Sequence, residues 1–180
     1  GRTWDEFLEL INLLHSYCDL HNRILVYIHN LSFEFQFIRT LLEWKKVFSI
    51  DVRKPVYALT TGGLEFRCSY ILTNYSLDKL SEQLNTYKIQ KLKTLDYNLV
   101  RHPETPMTWD EIRYCINDVL VVSAYIQEQI IIEKKITNIP LTATGYCRRY
   151  CRKMCLYGTS KKNRDKQFSK YNKLMQSLII

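Results

Sequence analysis

The stretch Ile24–Ile38, ILVYIHNLSFEFQFI, constrains the fold more than any other part of the chain. Ile24 to Ile28 is a short apolar run of β-branched and aromatic residues, which predicts a buried strand. His29-Asn30-Leu31-Ser32 then has turn and helix-cap chemistry. Ser32 is positioned to cap a helix starting near Phe33. From there Phe33, Phe37, Ile38, Leu41 and Leu42 recur at helical spacing. One carboxylate, Glu34, therefore falls in the first helical turn after a strand end. Open α/β sheets bind ligands at the carboxyl ends of their strands. The plainer alternative is a glutamate that only complements the helix dipole.

The rest of the chain reads as helices around a small sheet. Thr3 with Glu6 forms a capping-box pattern before an amphipathic helix to about Leu20. Val47–Val52 is a candidate strand, and Pro55–Leu59 and Leu64–Tyr70 are two more, joined across Thr60-Thr61-Gly62-Gly63. Ser76 caps a helix with Leu77, Leu80 and Leu84 inward. Thr86–Pro106 has weak periodicity and reads as an irregular connection. Thr108 and Glu111 give a second capping box, opening a long helix through Tyr114, Asp118 and Tyr125 to Glu128 or beyond. Leu141–Leu156 is helical and basic, and Phe168–Ile180 is a candidate last helix. The pattern predicts an α/β domain over residues 1–139, a small mixed sheet flanked by helices, with a basic helical segment over residues 140–180.

The 180 residues suffice for one well-cored domain with an appendage. The longest continuous apolar runs, such as Ile24–Ile28 and Val119–Val122, are too short for a bilayer, so no membrane association is expected. Six cysteines (Cys18, Cys68, Cys115, Cys147, Cys151, Cys155) lack the spacing of a secreted disulfide framework. Cys147, Cys151 and Cys155 share a helix face without an evident fourth metal ligand, so reduced thiols and a cytoplasmic location are expected. The net charge of +8 points to a polyanionic partner, nucleic acid in the simplest case. Much of that charge crowds the last quarter of the chain, including Arg148, Arg149, Arg152 and Lys153.

Tyr114 and Asp118 lie one helical turn apart and share a face. If Glu34 meets that face, two carboxylates and a phenol converge. Hard cations such as Mg²⁺ or Mn²⁺ prefer such oxygen ligands. A pair of them about 3.5–4 Å apart activates water and stabilises the leaving oxygen in phosphodiester hydrolysis. On spacing alone the bland alternative, a partly buried tyrosine beside a solvated aspartate, is favoured.

His29–Ile38, HNLSFEFQFI, resembles the second exonuclease motif of family B DNA polymerases, particularly the protein-primed type of phages and linear plasmids. Tyr114–Asp118, YCIND, is similar to the third motif, Tyr-x-x-x-Asp. Between them FRCSYILTNYSLDKL resembles the segment whose Ser/Thr-Leu pair, here Ser76-Leu77, contacts single-stranded DNA. KLKTLDY resembles the segment holding a catalytic lysine, matched by Lys93 or Lys91. The resemblance spans about Ile24 to Tyr146, and the motifs occur in the family order. It implies a ribonuclease H-like 3′–5′ proofreading exonuclease serving DNA replication, with Mg²⁺ or Mn²⁺ held by Glu34 and Asp118. It further implies that Tyr114 places the attacking water and that Lys93 neutralises phosphate charge. His29, Asn30, Phe33, Ser76 and Leu77 would hold the single-stranded primer end. PLTATGYCRRYCRK at Pro140–Lys153 resembles the passage leaving the exonuclease domain, where Arg148 and Arg149 would meet DNA. Implied partners are the primer terminus, a polymerase (nucleotidyltransferase) domain in cis and a terminal priming protein, in the cytoplasm of a bacterial host.

Two departures qualify the resemblance. The family has Asp where Glu34 stands, and the added methylene moves the carboxylate by about 1.5 Å. The first motif, Asp-x-Glu on an initial strand, is absent, as is the Asp-Thr-Asp of a polymerase domain. The chain therefore reads as a fragment or truncated relative beginning downstream of the first motif, weak or inactive as a nuclease alone. Two rival readings stand beside it. One is a non-catalytic nucleic-acid-binding module with a degenerate exonuclease fold. The other is a stand-alone exonuclease in which Asp51 or Glu65 joins Asp118.

Overall fold

A computed structural model describes residues 2–51, 54–89, 92, 95–96, 98–102, 104–152, 170 and 173. It divides into two units, Gly1–Leu141 and Thr142–Ile180. In the first unit the elements are α1 (Trp4–His15), β1 (Ile24–Ile28), α2 (Leu31–Ile38), β2 (Trp44–Ser49), β3 (Pro55–Thr60), β4 (Leu64–Cys68), α3 (Ser69–Thr73), α4 (Leu77–Glu82), α5 (Trp109–Glu133) and a 3-10 turn (Ile136–Asn138). The described part of the second unit contains α6 (Ala143–Cys151).

The sheet is mixed, in the order β1-β4-β3-β2. β1 runs parallel to β4, with Ile24 opposite Leu64 and Ile28 opposite Cys68. β4 pairs antiparallel with β3, and β3 with β2. Alternation along the strands sorts side chains onto two faces. One face sends Leu64, Phe66, Cys68 and Ala58 against Leu31 and Ile38 of α2 and Ile11 of α1, forming the core. The expected strand Ile24–Ile28 forms, but all five residues are only half-buried, because β1 is an outer strand. No described strand pairs with its other edge.

The opposite face carries charge. Glu65 is 3 % exposed. It lies 3.0 Å from Arg23 Nη1 and 2.5 Å from Arg67 Nη2. Arg67 also donates to the Ile139 carbonyl at 3.3 Å and to the Tyr27 hydroxyl at 3.4 Å. One guanidinium thus joins β4, β1 and the chain after α5. Burial pushes the Tyr27 phenol up, partly opposed by Arg67.

Both expected capping boxes are present. Thr3 Oγ1 accepts the Glu6 N–H at 3.3 Å, and Thr108 Oγ1 accepts that of Glu111 at 3.3 Å. Ser76 caps α4, and Leu80 and Leu84 are buried as expected. Other boundaries need correction. α1 stops at His15, short of Leu20. α2 begins at Leu31, so Ser32 lies inside its first turn and does not cap it. Asn30 takes the N-cap position with φ 64°, a left-handed geometry that asparagine tolerates. Leu31 is thereby directed into the core, fully buried. β2 spans Trp44–Ser49, earlier than the expected Val47–Val52, and the segment read as strand to Tyr70 turns into α3 after Cys68. The expected helix over Phe168–Ile180 lies almost entirely outside the described residues.

Gly63 ends the β3–β4 turn with φ 96°. A Cβ there would collide with the Asp19 backbone, and one at Gly62 would lie 2.5 Å from the His15 ring. α5 is the one described helix long and apolar enough to cross a bilayer by length and composition. It is packed against α4 and the 3-10 turn. Cys147 and Cys151 are free and exposed on α6; Cys155 lies outside the described residues.

A candidate nucleic-acid and metal pocket

A cavity of about 1170 Å³ lies between the end of β1, α2, the start of α4 and α5. Leu25, Tyr27 and Ile28 of β1 line it. Leu25 and Tyr27 belong to one face of the sheet and Ile28 to the other, so the cavity reaches the edge of that strand which pairs with no described strand.

His29, Asn30 and Glu34 enter from the β1–α2 junction. Ser69, fully buried, fixes the His29 ring through Oγ, 3.1 Å from Nδ1. Tyr70 meets that ring edge-on at 5.7 Å. Because Asn30 sits in the left-handed region, its amide makes no helix-capping hydrogen bond. Glu34 is exposed, in the first turn of α2. From α4 come Leu77 and its cap Ser76. Tyr114, Asp118, Val122 and Ile126 contribute a stripe from α5, each four residues from the last and so on one helix face. Tyr114 is 7 % exposed. Asp118 is half-buried, with one carboxylate oxygen shielded from solvent.

Seven of the residues singled out from the sequence therefore line one cavity: His29, Asn30, Glu34, Ser76, Leu77, Tyr114 and Asp118. Phe33 does not. It is 55 % exposed and packs edge-on against Phe37 at 5.3 Å, so it serves neither the core nor the cavity lining. Lys93 and its alternative Lys91 lie outside the described residues. Arg148 and Arg149 are exposed on α6, in the other unit. The Arg149 guanidinium lies 5.4 Å from the Tyr146 ring centre. Neither Asp51 nor Glu65 lines the cavity. Glu65 is held instead by Arg23 and Arg67, which removes the geometric basis for its joining Asp118.

The donor set has the chemistry for a hard divalent cation, two carboxylates with phenol and hydroxyl neighbours. Among the described residues, however, no group of three His, Cys, Asp or Glu side chains is placed to hold a metal. Glu34 and Asp118 would supply part of a coordination sphere, with other ligands still required.

Sequence reasoning missed Ser69, Tyr70, Ser123, Gln127 and Glu128. Extending the Tyr114–Asp118 stripe by helical steps reaches Val122 and Ile126, with Ser123 and Gln127 beside them. Glu128 carries no such signal, because its partners are backbone amides. It is buried on α5 and accepts N–H groups from Asn85 at 2.9 Å, Thr86 at 2.6 Å and Tyr87 at 3.1 Å. Compared with protein-family models, curated proteins and solved structures, the chain matches none.

Proposed function

We propose that this chain is a ribonuclease H-like 3′–5′ proofreading exonuclease domain of a phage-type, protein-primed family B DNA polymerase. In the intact enzyme it removes mispaired nucleotides from the primer end. The supporting observation is the shared cavity: Glu34, Tyr114, Asp118 and the Ser76–Leu77 pair come from three distant segments and line one space at a strand end. The edge of β1 beside them, which pairs with no described strand, is where a further strand of that fold would pair.

The roles follow from chemistry. Asn30 and Ser76 offer uncharged hydrogen-bonding groups to sugar or base, and Leu77 offers apolar contact to an unpaired base. His29, oriented by Ser69, presents an imidazole to the same strand end. Tyr114 presents a hydroxyl one turn from Asp118, suited to orient a water against the scissile phosphorus. Two carboxylates alone would repel a phosphodiester. Mg²⁺ or Mn²⁺, held by Glu34 and Asp118 with ligands from elsewhere, would neutralise that charge and lower the pKa of bound water. With two carboxylates lining the pocket among the described residues, the chain by itself is a weak or inactive nuclease.

One rival reading stands beside it, a non-catalytic DNA-binding module with a degenerate exonuclease fold. A Mn²⁺ titration followed by paramagnetic resonance, with single-stranded oligonucleotide digestion, separates the two. Specific Mn²⁺ binding lost in Asp118→Ala supports the exonuclease reading. DNA binding indifferent to metal and to Asp118→Ala supports the module. Normal digestion of single-stranded DNA that survives Glu34→Ala with Asp118→Ala overturns the proposed site.

A further inference from the structure

Glu128 is 6 % exposed. Burying a carboxylate is costly unless hydrogen bonds replace its water. Here three successive backbone N–H groups do so, with Asn85 touching both oxygens at 2.9 and 3.2 Å. These amides lie just beyond the C-terminal end of α4, where Leu84 is buried. The other end of α4 begins at Ser76 and Leu77, which line the same cavity as Tyr114 and Asp118. α4 has 6 residues, about 9 Å of helix at ~1.5 Å per residue, so a shift at one end is fewer than two turns from the other. On α5, the neighbours of Glu128, Ile126 and Gln127, line the cavity too.

We propose that Glu128 is a positioning residue for the pocket. Its carboxylate grips the end of α4 from α5 and so fixes Ser76 and Leu77 relative to Tyr114 and Asp118. The functional consequence rests on the exonuclease reading; the mechanical one does not.

The test compares Glu128→Gln, which keeps the side-chain size, with the wild-type chain and with Glu9→Gln, an exposed control on α1 that makes the same charge change. Circular dichroism checks that helix content is kept. Amide exchange at Asn85, Thr86 and Tyr87 should accelerate about three- to thirtyfold, the range for replacing a charged acceptor by a neutral amide oxygen. The Leu77 methyl and Ser76 amide resonances should shift in Glu128→Gln and stay in place in Glu9→Gln. Affinity for a labelled oligothymidylate should fall roughly tenfold. That loss would run against charge, since removing a negative group favours polyanion binding. Faster exchange with unmoved Ser76 and Leu77 signals would overturn the proposal, as would unchanged exchange. A wild-type chain that binds no oligothymidylate overturns the exonuclease reading instead, and the Leu77 and Ser76 shifts then decide the role of Glu128 by themselves.

Discussion

Glu34, in the first turn of α2, and Asp118, within α5, line the same cavity. If both carboxylates reach one Mg²⁺ or Mn²⁺ ion, as proposed, each adds to its affinity. Replacing either by its amide, Glu34→Gln or Asp118→Asn, is expected to weaken Mn²⁺ binding at least tenfold without altering thermal stability. Isothermal titration with MnCl₂ measures it. Equal affinities in all three proteins would detach the pair from metal binding.

Glu65 stands between two guanidiniums on the charged face of the sheet, its side chain 4 % exposed. Arg67 is itself largely shielded, at 13 %. Glu65→Ala leaves that cation without its counter-charge, and removing one partner of a buried pair costs about 3–5 kcal/mol. Urea unfolding should show a loss of that order. A loss below about 1 kcal/mol would mean that water reaches the site and screens it.

Burial pushes the Glu128 carboxyl up, but the amides of Thr86, Tyr87 and Asn85 together outweigh it and hold the group below its ordinary value of 4.5. A depressed carboxylate stabilises the fold above its unfolded pKa and loses that contribution as pH falls through the folded one. The stability gap between wild type and Glu128→Gln should therefore be constant from neutrality to about 4.5 and close below it. Denaturation curves across that range check the sign; a gap that widens on acidification contradicts it.

At Gly63 the backbone adopts φ 96°, and a Cβ would meet the Asp19 carbonyl. Left-handed geometry costs an ordinary residue about 1–2 kcal/mol, and the collision adds to it. Gly63→Ala should lower the melting temperature by several degrees. An unchanged melting point would show that the Asp19 turn gives way freely.

Arg148 and Arg149 are exposed on α6. If both meet phosphates, the double alanine variant should reduce the slope of log affinity against log salt by about two. Fluorescence anisotropy at several salt concentrations reads that slope. An identical slope would assign the two arginines to a solvated surface.

Helix starts governed by side-chain caps were legible in the sequence: Thr3 with Glu6 and Thr108 with Glu111 act through atoms that the residue types announce. The start of α2 was not, because a left-handed asparagine and the burial of Leu31 prevail over the capping ability of Ser32. β2 was misplaced because its middle residues, Lys45 to Phe48, are all exposed and give no alternating signal. Its limits come from pairing with β3. In the pocket, Glu34, Tyr114 and Asp118 were singled out by the order of the segments they belong to, and all three line it. Ser69 and Glu128 could not, because one acts behind His29 and the other on peptide N–H groups that every residue possesses.

The side of β1 that pairs with no described strand has a practical consequence. Apolar strands with vacant backbone donors and acceptors recruit like segments from other molecules. Studied alone at high concentration, this polypeptide should form sheet-linked aggregates, and a short synthetic peptide that docks along Ile24–Ile28 should restore solubility.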